Sequence, residues 1–389
     1  MRSIFKKTVF YIIFQIINLT KKTSIFNNCE LIELNTTRAS NLVMESEIFF
    51  KESVEDKFYF IFFEKISNKY FFKLFKRKLK KNKKVFFLPS YSFWKVVCNA
   101  YLFFSGKNLQ KRVTNIRKKA NFFNDHKPFL EFPAEDLQLG YNLLKKLGIK
   151  KDDKWICVYN RDEGYLNKYI KNEDWSYHNY RNFPISDLKK AISLFIENDY
   201  FVIRVGSNTQ ENLSLNSSKY IDYSKSNLRS DFMDCFLMSR CEMFFGGSSG
   251  ICMFPASFRR PYFLVNNCPL EGAFSIKRIY PGIFKRIIDL KNNQILSIRE
   301  MVDKNLCNIF TTDGFKKKNV RCLNNNEEEL EEFASEALLI IKEKVIKSVK
   351  DFDQIKKNFI SEIIKDDLMQ NLEYTNPIGK KFLEKTKIN

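Results

Sequence analysis

The sequence predicts an α/β fold built on a parallel sheet. Three observations point there. From residue 155 onward, apolar runs of strand length alternate with helical patterns. The runs read as buried strands, the pattern of a parallel sheet covered on both faces. Apolar residues make up 44% of the 389, with 40 phenylalanines, the composition of a folded rather than a disordered chain.

In chain order, "MRSIFKKTVFYIIFQIINLTKK" sets basic ends around an apolar stretch from Val9 to Leu19, interrupted by Gln15 and Asn18. That stretch is well short of the roughly 20 residues a spanning helix needs. Residues 1–27 therefore read as a basic, apolar helix suited to lie on an anionic membrane surface; a core helix and a targeting segment are the alternatives. Residues 28–132 form a first, acceptor-side domain of irregular pattern. Its clearest strand is "KVFFLPS" (84–90), followed by a helix from Phe93 to Phe104. The run "KLFKRKLKKNKK" (73–84) is a solvated face or a patch for acidic lipid or phosphate.

Residues 133–325 form the second domain. A capped helix (133–153) leads into strand 155–160, helix 186–198 with Ser186 as N-cap, strand 200–206 and short strand 219–223. Helix 230–241, strand 242–247, helix 249–258 and strand 261–267 follow. From 326 to 389 the chain reads as a charged helical tail; Asp351-Phe352-Asp353 falls inside it and reads as solvated surface, not as a metal site.

The formal net charge of +21 favours an anionic partner, although a general lysine bias would give the same number. Nine cysteines without a C-x-x-C pair, and two distant histidines, fit core thiols in a reducing cytoplasm rather than a zinc site.

Chemistry concentrates at strand ends, where open parallel sheets bind ligands. Gly246, Gly247, Ser248, Ser249 and Gly250 follow a strand and open a helix, so their amides and hydroxyls could cradle phosphate. Tight strand–helix turns also use such residues for sterics alone. Arg161 and Asp162 end one strand; Arg204 lies near the end of another, ahead of Gly206. Two arginines there could fork onto phosphate oxygens, or pair instead with Asp162 or Asp222. The loop "NEDWSYHNYRNFP" (172–184) gathers Asp174, Tyr177, His178, Tyr180 and Arg181 without regular periodicity.

The succession "CVYNRDEGYL…DWSYHNYRN", "FVIRVGS", "YIDYSKSNLRSDFMDCFLMSRCEMFFGGSSG" and "PYFLVNNCPL" resembles a family of bacterial glycosyltransferases from surface-polysaccharide loci, over roughly 135–325. The resemblance implies a GT-B-like enzyme: two Rossmann-like domains facing a cleft, the second holding a nucleotide sugar, with a glycan or lipid-linked acceptor. Where the family commonly carries a histidine ahead of its Arg-Asp pair, this chain has Tyr159 and Asn160.

On that footing Arg161, Arg204 and the turn 246–250 neutralise the departing nucleoside diphosphate without a metal or other cofactor. Asp222 meets the ribose or base. An inverting reaction needs a proton acceptor, for which Asp162, Glu163 and Asp174 are candidates and His178 a neutral alternative. An epimerase-like sugar-nucleotide enzyme is the second reading. A nucleic-acid-binding protein is the third; it is disfavoured because the basic run 73–84 contains one aromatic residue, Phe75. The expected place of work is the cytoplasm, either free or at the inner face of the membrane.

Overall fold

The computed structural model describes residues 2–21, 28–113, 127–164, 168, 174–271, 280–344 and 378–386. His126, residues 172 and 173, and Asp351-Phe352-Asp353 lie outside the described residues. The chain divides into two units, Met1–Ile116 and Arg117–Asn389.

The first unit is a four-stranded, fully parallel sheet where the sequence suggested irregular structure. Its strands are β1 (Cys29–Glu33), β2 (Phe58–Phe62), β3 (Lys84–Phe87) and β4 (Lys111–Arg112), in the order β3-β2-β1-β4. Helices α1 (Arg2–Lys21), α2 (Ala39–Glu52), α3 (Lys69–Asn82) and α4 (Tyr91–Ser105) complete it. β1 escapes a periodicity search because Glu30 and Glu33 interrupt its apolar residues. The structure shows why Glu33 is tolerated: it is buried, accepts hydrogen bonds from Lys95 Nζ at 2.9 Å and Arg112 Nε at 2.7 Å, and receives the Tyr91 hydroxyl at 3.0 Å. A buried carboxylate with two cations and a hydroxyl is a satisfied one. The basic run 73–84 forms most of α3. Asn68 caps that helix by accepting from the Phe71 amide at 2.7 Å, and Phe71, Phe75 and Leu79 are fully buried between the lysines.

The second unit carries a six-stranded parallel sheet of β5 (Trp155–Tyr159), β6 (Phe201–Arg204), β7 (Tyr220–Ile221), β8 (Met243–Gly247), β9 (Tyr262–Asn267) and β10 (Gly282–Phe284). Their order is β10-β9-β8-β5-β6-β7. The chain thus runs outward from β5 to one side, then returns to β8 and runs outward to the other. This is the doubly wound order of a dinucleotide-binding fold. The order in the first unit, β3-β2-β1-β4, repeats the β7-β6-β5-β8 portion of it. Two Rossmann-like units in one α/β chain are what the resemblance implies. A small antiparallel sheet, β12-β11-β13, adds β11 (Arg286–Asp289), β12 (Gln294–Ile295) and β13 (Val320–Leu323).

Helices cover both faces of the large sheet. On one, α5 (Ala134–Lys146) and α7 (Asp231–Arg240) meet through Phe236, whose ring lies 5.3 Å from Tyr141 and 6.4 Å from Trp155. On the other, α6 (Lys189–Glu197) and α11 (Glu327–Glu343) sandwich Phe245, 5.3 Å from Phe195 and 5.7 Å from Phe333. The start of the tail expected as a separate charged segment is therefore core: Phe333, Ala334 and Ala337 are buried. Asn326 and Glu329 form a reciprocal capping box at its N-terminus. Ser186 caps no helix; residues Ile185–Leu188 form a 3-10 turn that leads into α6. The remaining helices are α8 (Met253–Ser257), α9 (Ile298–Asp303), α10 (Thr312–Lys317) and α12 (Lys380–Glu384).

Candidate functional site

The strand order reverses between β5 and β8, so the crevice for a ligand opens past Tyr159 and Gly247. Tyr159 pairs in register with Gly246. A Cβ on Gly246 would stand 2.2 Å from the Tyr159 carbonyl oxygen, and one on Gly247 would stand 2.6 Å from the Phe183 ring. Two of the three clustered glycines are thus required by close packing, the steric alternative for this stretch. Ser248, Ser249 and Gly250 remain at the half-buried tip. The Tyr159 hydroxyl donates to Ser249 Oγ at 3.3 Å, fixing the serine over the strand end.

The single helix expected at 249–258 is a 3-10 turn, Gly250–Cys252, followed by the five residues of α8. Broken and short, it offers little macrodipole. Positive charge at the crevice has to come from side chains.

Those side chains are present. Arg161, directly past β5, is 6% exposed; its Nη1 donates to Asn182 Oδ1 and, at 3.3 Å, to the His178 carbonyl. Arg181 Nη2 donates to the Ser248 carbonyl at 2.6 Å. Lys285, between β10 and β11, is 5% exposed; Nζ donates to the Asn182 carbonyl at 2.7 Å and Asn324 Oδ1 at 2.8 Å. Among the described residues all three cations meet neutral oxygens and none sits in an ion pair. Burial and the neighbouring Arg181 charge lower the Arg161 pKa. Burial lowers that of Lys285 to about 8, with Arg161 pushing the same way and Asp187 against it. This is a concentration of positive charge in which, among the described residues, no carboxylate stands at ion-pair distance from any of the three cations.

Arg204 is placed differently. It is fully buried, and its guanidinium donates to Asp222 Oδ2 at 3.0 Å, Asn160 Oδ1 at 3.0 Å and the Glu211 carbonyl at 2.6 Å. The carboxylate-pairing alternative describes this geometry: Arg204 ties the end of β6 to Asn160 and Asp222, and Asp222 is occupied by it and by the Ser224 hydroxyl. Gly206 follows at φ +135°, a conformation that favours glycine, with the Tyr159 ring 3.5 Å from where a Cβ would be.

Asp162 accepts from the Gly164 amide at 3.0 Å and the Gln210 amide at 3.1 Å, while Asn208 Nδ2 donates to the Gly164 carbonyl at 2.7 Å. These bonds fasten the loop after β5 to the loop after β6. Asp174 accepts from both the amide and hydroxyl of Ser176 at 2.9 Å, which lowers its pKa. His178 lies in the 3-10 turn Ser176–Arg181, its ring 4.0 Å from Tyr177 and stacked on Trp175. The structure brings Arg161, the loop 176–182 and the turn 246–250 together. It leaves Arg204 and Asp222 beneath them.

Two cations were not singled out as ligands by sequence. Arg181 was noted within its loop. Lys285 went unnoticed, although a lysine between "GIF" and "RIID" is an unusual break in an apolar run. Among the described residues no group of three or more His, Cys, Asp or Glu side chains could hold a metal ion.

No protein-family model matches the chain, and no curated protein matches it. Solved structures similar to it include the glycosyl transferase family 9 protein of Veillonella parvula DSM 2008, at 8% identity over 61% of this chain and 80% of that one, TM-score 0.39. The ADP-heptose lipopolysaccharide heptosyltransferase II of E. coli is 11% identical over 62% of this chain and 86% of that one, TM-score 0.37. The wall teichoic acid polymerase TagF is 12% identical over 89% of this chain and 100% of that one, TM-score 0.29.

Proposed function

We propose that the protein is a glycosyltransferase that takes a sugar from a nucleotide-sugar donor to a glycan or lipid-linked acceptor, in the assembly of a surface polysaccharide. The reading is carried by one observation: Arg161, Arg181 and Lys285 stand, without an ion pair among the described residues, beside the strand-order reversal, the position where this topology accepts ligands. Three cations whose hydrogen bonds end on neutral oxygens match a diphosphate.

In this proposal the diphosphate lies across the tip of β8, with Ser248 and Ser249 as donors and the guanidinium groups on its oxygens. As the glycosidic bond breaks, negative charge grows on the leaving diphosphate, and fixed cations in a partly dry crevice stabilise that growth. Side-chain cations do this work in place of a metal. Asp162 is engaged by two loop amides and Asp174 by the amide and hydroxyl of Ser176, and in this proposal His178 takes the acceptor proton. Asn160, Arg204 and Asp222 hold the floor of the crevice rather than the ligand.

A thermal-shift panel of UDP, GDP, CMP, ADP and dTDP tests the reading. Stabilisation by at least one nucleotide, lost in Arg161→Ala, supports it. No stabilisation by any of the five would remove its basis. His178→Asn should keep the nucleotide shift and lose sugar transfer.

A further inference from the structure

We propose that Cys268 and Cys322 are a site of reversible oxidation, where hydrogen peroxide closes a disulfide beside Lys285. The disulfide stands apart from the transfer reading; its effect on a ligand rests on that reading. All nine cysteines of the chain are thiols, and six of them are buried. Cys29, Cys268 and Cys322 are half-buried, within reach of a small solute. Of these, Cys268 and Cys322 face each other, their sulfurs 3.4 Å apart with one thiol donating to the other. Cys157 also has a thiol neighbour, Cys241, but both are fully buried. Contact and access together single out Cys268 and Cys322. Burial and the Cys322 thiol push the Cys268 pKa up, against the pull of the Lys285 and Arg181 charges. Cys268 therefore rests as a thiol at neutral pH, and the pair stays reduced until peroxide is in excess.

A thiolate of the pair attacks the peroxide: an S–O bond forms, the O–O bond breaks and hydroxide leaves, giving a sulfenic acid. The other thiol attacks the sulfenic sulfur; the S–S bond forms, the S–O bond breaks, and the departing hydroxide takes the thiol proton as water. Two thiols and one peroxide give one disulfide and two waters, with two electrons passing from sulfur to oxygen. Cys268 lies directly past β9, and Cys322 lies in β13 opposite Ile287 of β11. Both backbones lead to Lys285. The Asn267 carbonyl, next to Cys268, accepts from the Lys285 amide at 2.9 Å, and Asn324, just past Cys322, holds Lys285 Nζ at 2.8 Å. A disulfide bond is about 2.05 Å long, so the sulfurs must close from 3.4 Å by more than about 1 Å. That movement displaces the two segments holding the lysine, and with them the cation at the crevice.

The experiment exposes the reduced full chain to hydrogen peroxide, alkylates it with N-ethylmaleimide under denaturing conditions, and maps its peptides by mass without reductant. We expect a pair of thiols lost to alkylation, a cross-linked peptide joining Cys268 to Cys322, and recovery of both thiols with dithiothreitol. Affinity for the stabilising nucleotide should fall about tenfold on oxidation and return with reductant. Cys322→Ser should give no cross-link and keep its affinity in peroxide; the map is read on the parent chain, so it stands whether or not the variant folds. The proposal is overturned if peroxide leaves both thiols open to alkylation, if the link joins other cysteines, or if the product is a sulfinic acid that reductant does not reverse. A link that leaves affinity unchanged overturns the coupling to Lys285. A reduced chain that binds no nucleotide is the failure of the transfer reading, and the peptide map then decides the thiol pair by itself.

Discussion

Arg181 reaches across from the turn 176–181 and places Nη2 2.6 Å from the carbonyl oxygen of Ser248. A loop without regular pattern is thereby fastened to the end of a central strand, and its cation is held at the mouth of the crevice. Removing either of two neighbouring cations should show in ligand binding before it shows in folding. Arg181→Ala and Arg161→Ala are each expected to weaken nucleotide binding by about tenfold or more, from the loss of a charge-assisted hydrogen bond. Calorimetric titration of the stabilising nucleotide measures this. Unchanged affinity in both variants would show that the two side chains serve only the loop.

Gly246 and Ser248 should part company on substitution. A methyl group on Gly246 would collide with the backbone of Tyr159, which cannot move without breaking the pairing of β5 and β8. Gly246→Ala should cost about 3 kcal/mol or more and lower the urea midpoint accordingly. Ser248→Ala should leave the midpoint in place and reduce nucleotide affinity. A harmless Gly246→Ala would mean the strands are not in this register.

Arg204 tests whether a buried cation is ligand or framework. Taking it away leaves Asp222 without its ion pair and Asn160 Oδ1 without its donor. We expect Arg204→Ala to lose about 3–5 kcal/mol in equilibrium unfolding. Asp222→Asn keeps an oxygen for the guanidinium and should lose less. If Arg204→Ala unfolds like the parent protein and fails only in nucleotide binding, Arg204 touches the ligand after all.

Lys285 gives the site a pH dependence with a definite sign. Its pKa is lowered to about 8, chiefly by burial, so it begins to lose its charge in mildly alkaline solution. A bound diphosphate favours the protonated lysine and raises that pKa, so binding takes up protons. Affinity should be greatest below about pH 7 and fall as pH rises through about 8. Measured heats in buffers of different ionisation enthalpy would reveal the uptake. Lys285→Met should abolish it, and a parent protein with pH-independent affinity up to pH 9 would contradict this account.

Much of the second unit was legible because its strands are buried on both faces and read as unbroken apolar runs, from "WICVY" to "YFLVNN". The first unit was harder. Its strand "CELIE" hides a glutamate whose burial depends on Tyr91, Lys95 and Arg112, groups 58, 62 and 79 residues away, and no local pattern carries that information. Arg204 was recognised as special, yet its role rests on whether Asp222 faces it, a tertiary fact. Lys285 joins the site only because β10 lies at the edge of the same sheet. Strand positions could be read from composition and spacing, whereas the pairing of charges had to be seen.

The missing side chains at Gly246 and Gly247 have one more effect. Because β5, β8 and the Phe183 ring close over those two positions, the bend is built before any ligand arrives, and almost no other amino acid can be tried there. Under the proposed function, a change of nucleotide preference would therefore have to come from the side chains that overhang the bend, with its backbone left as it is.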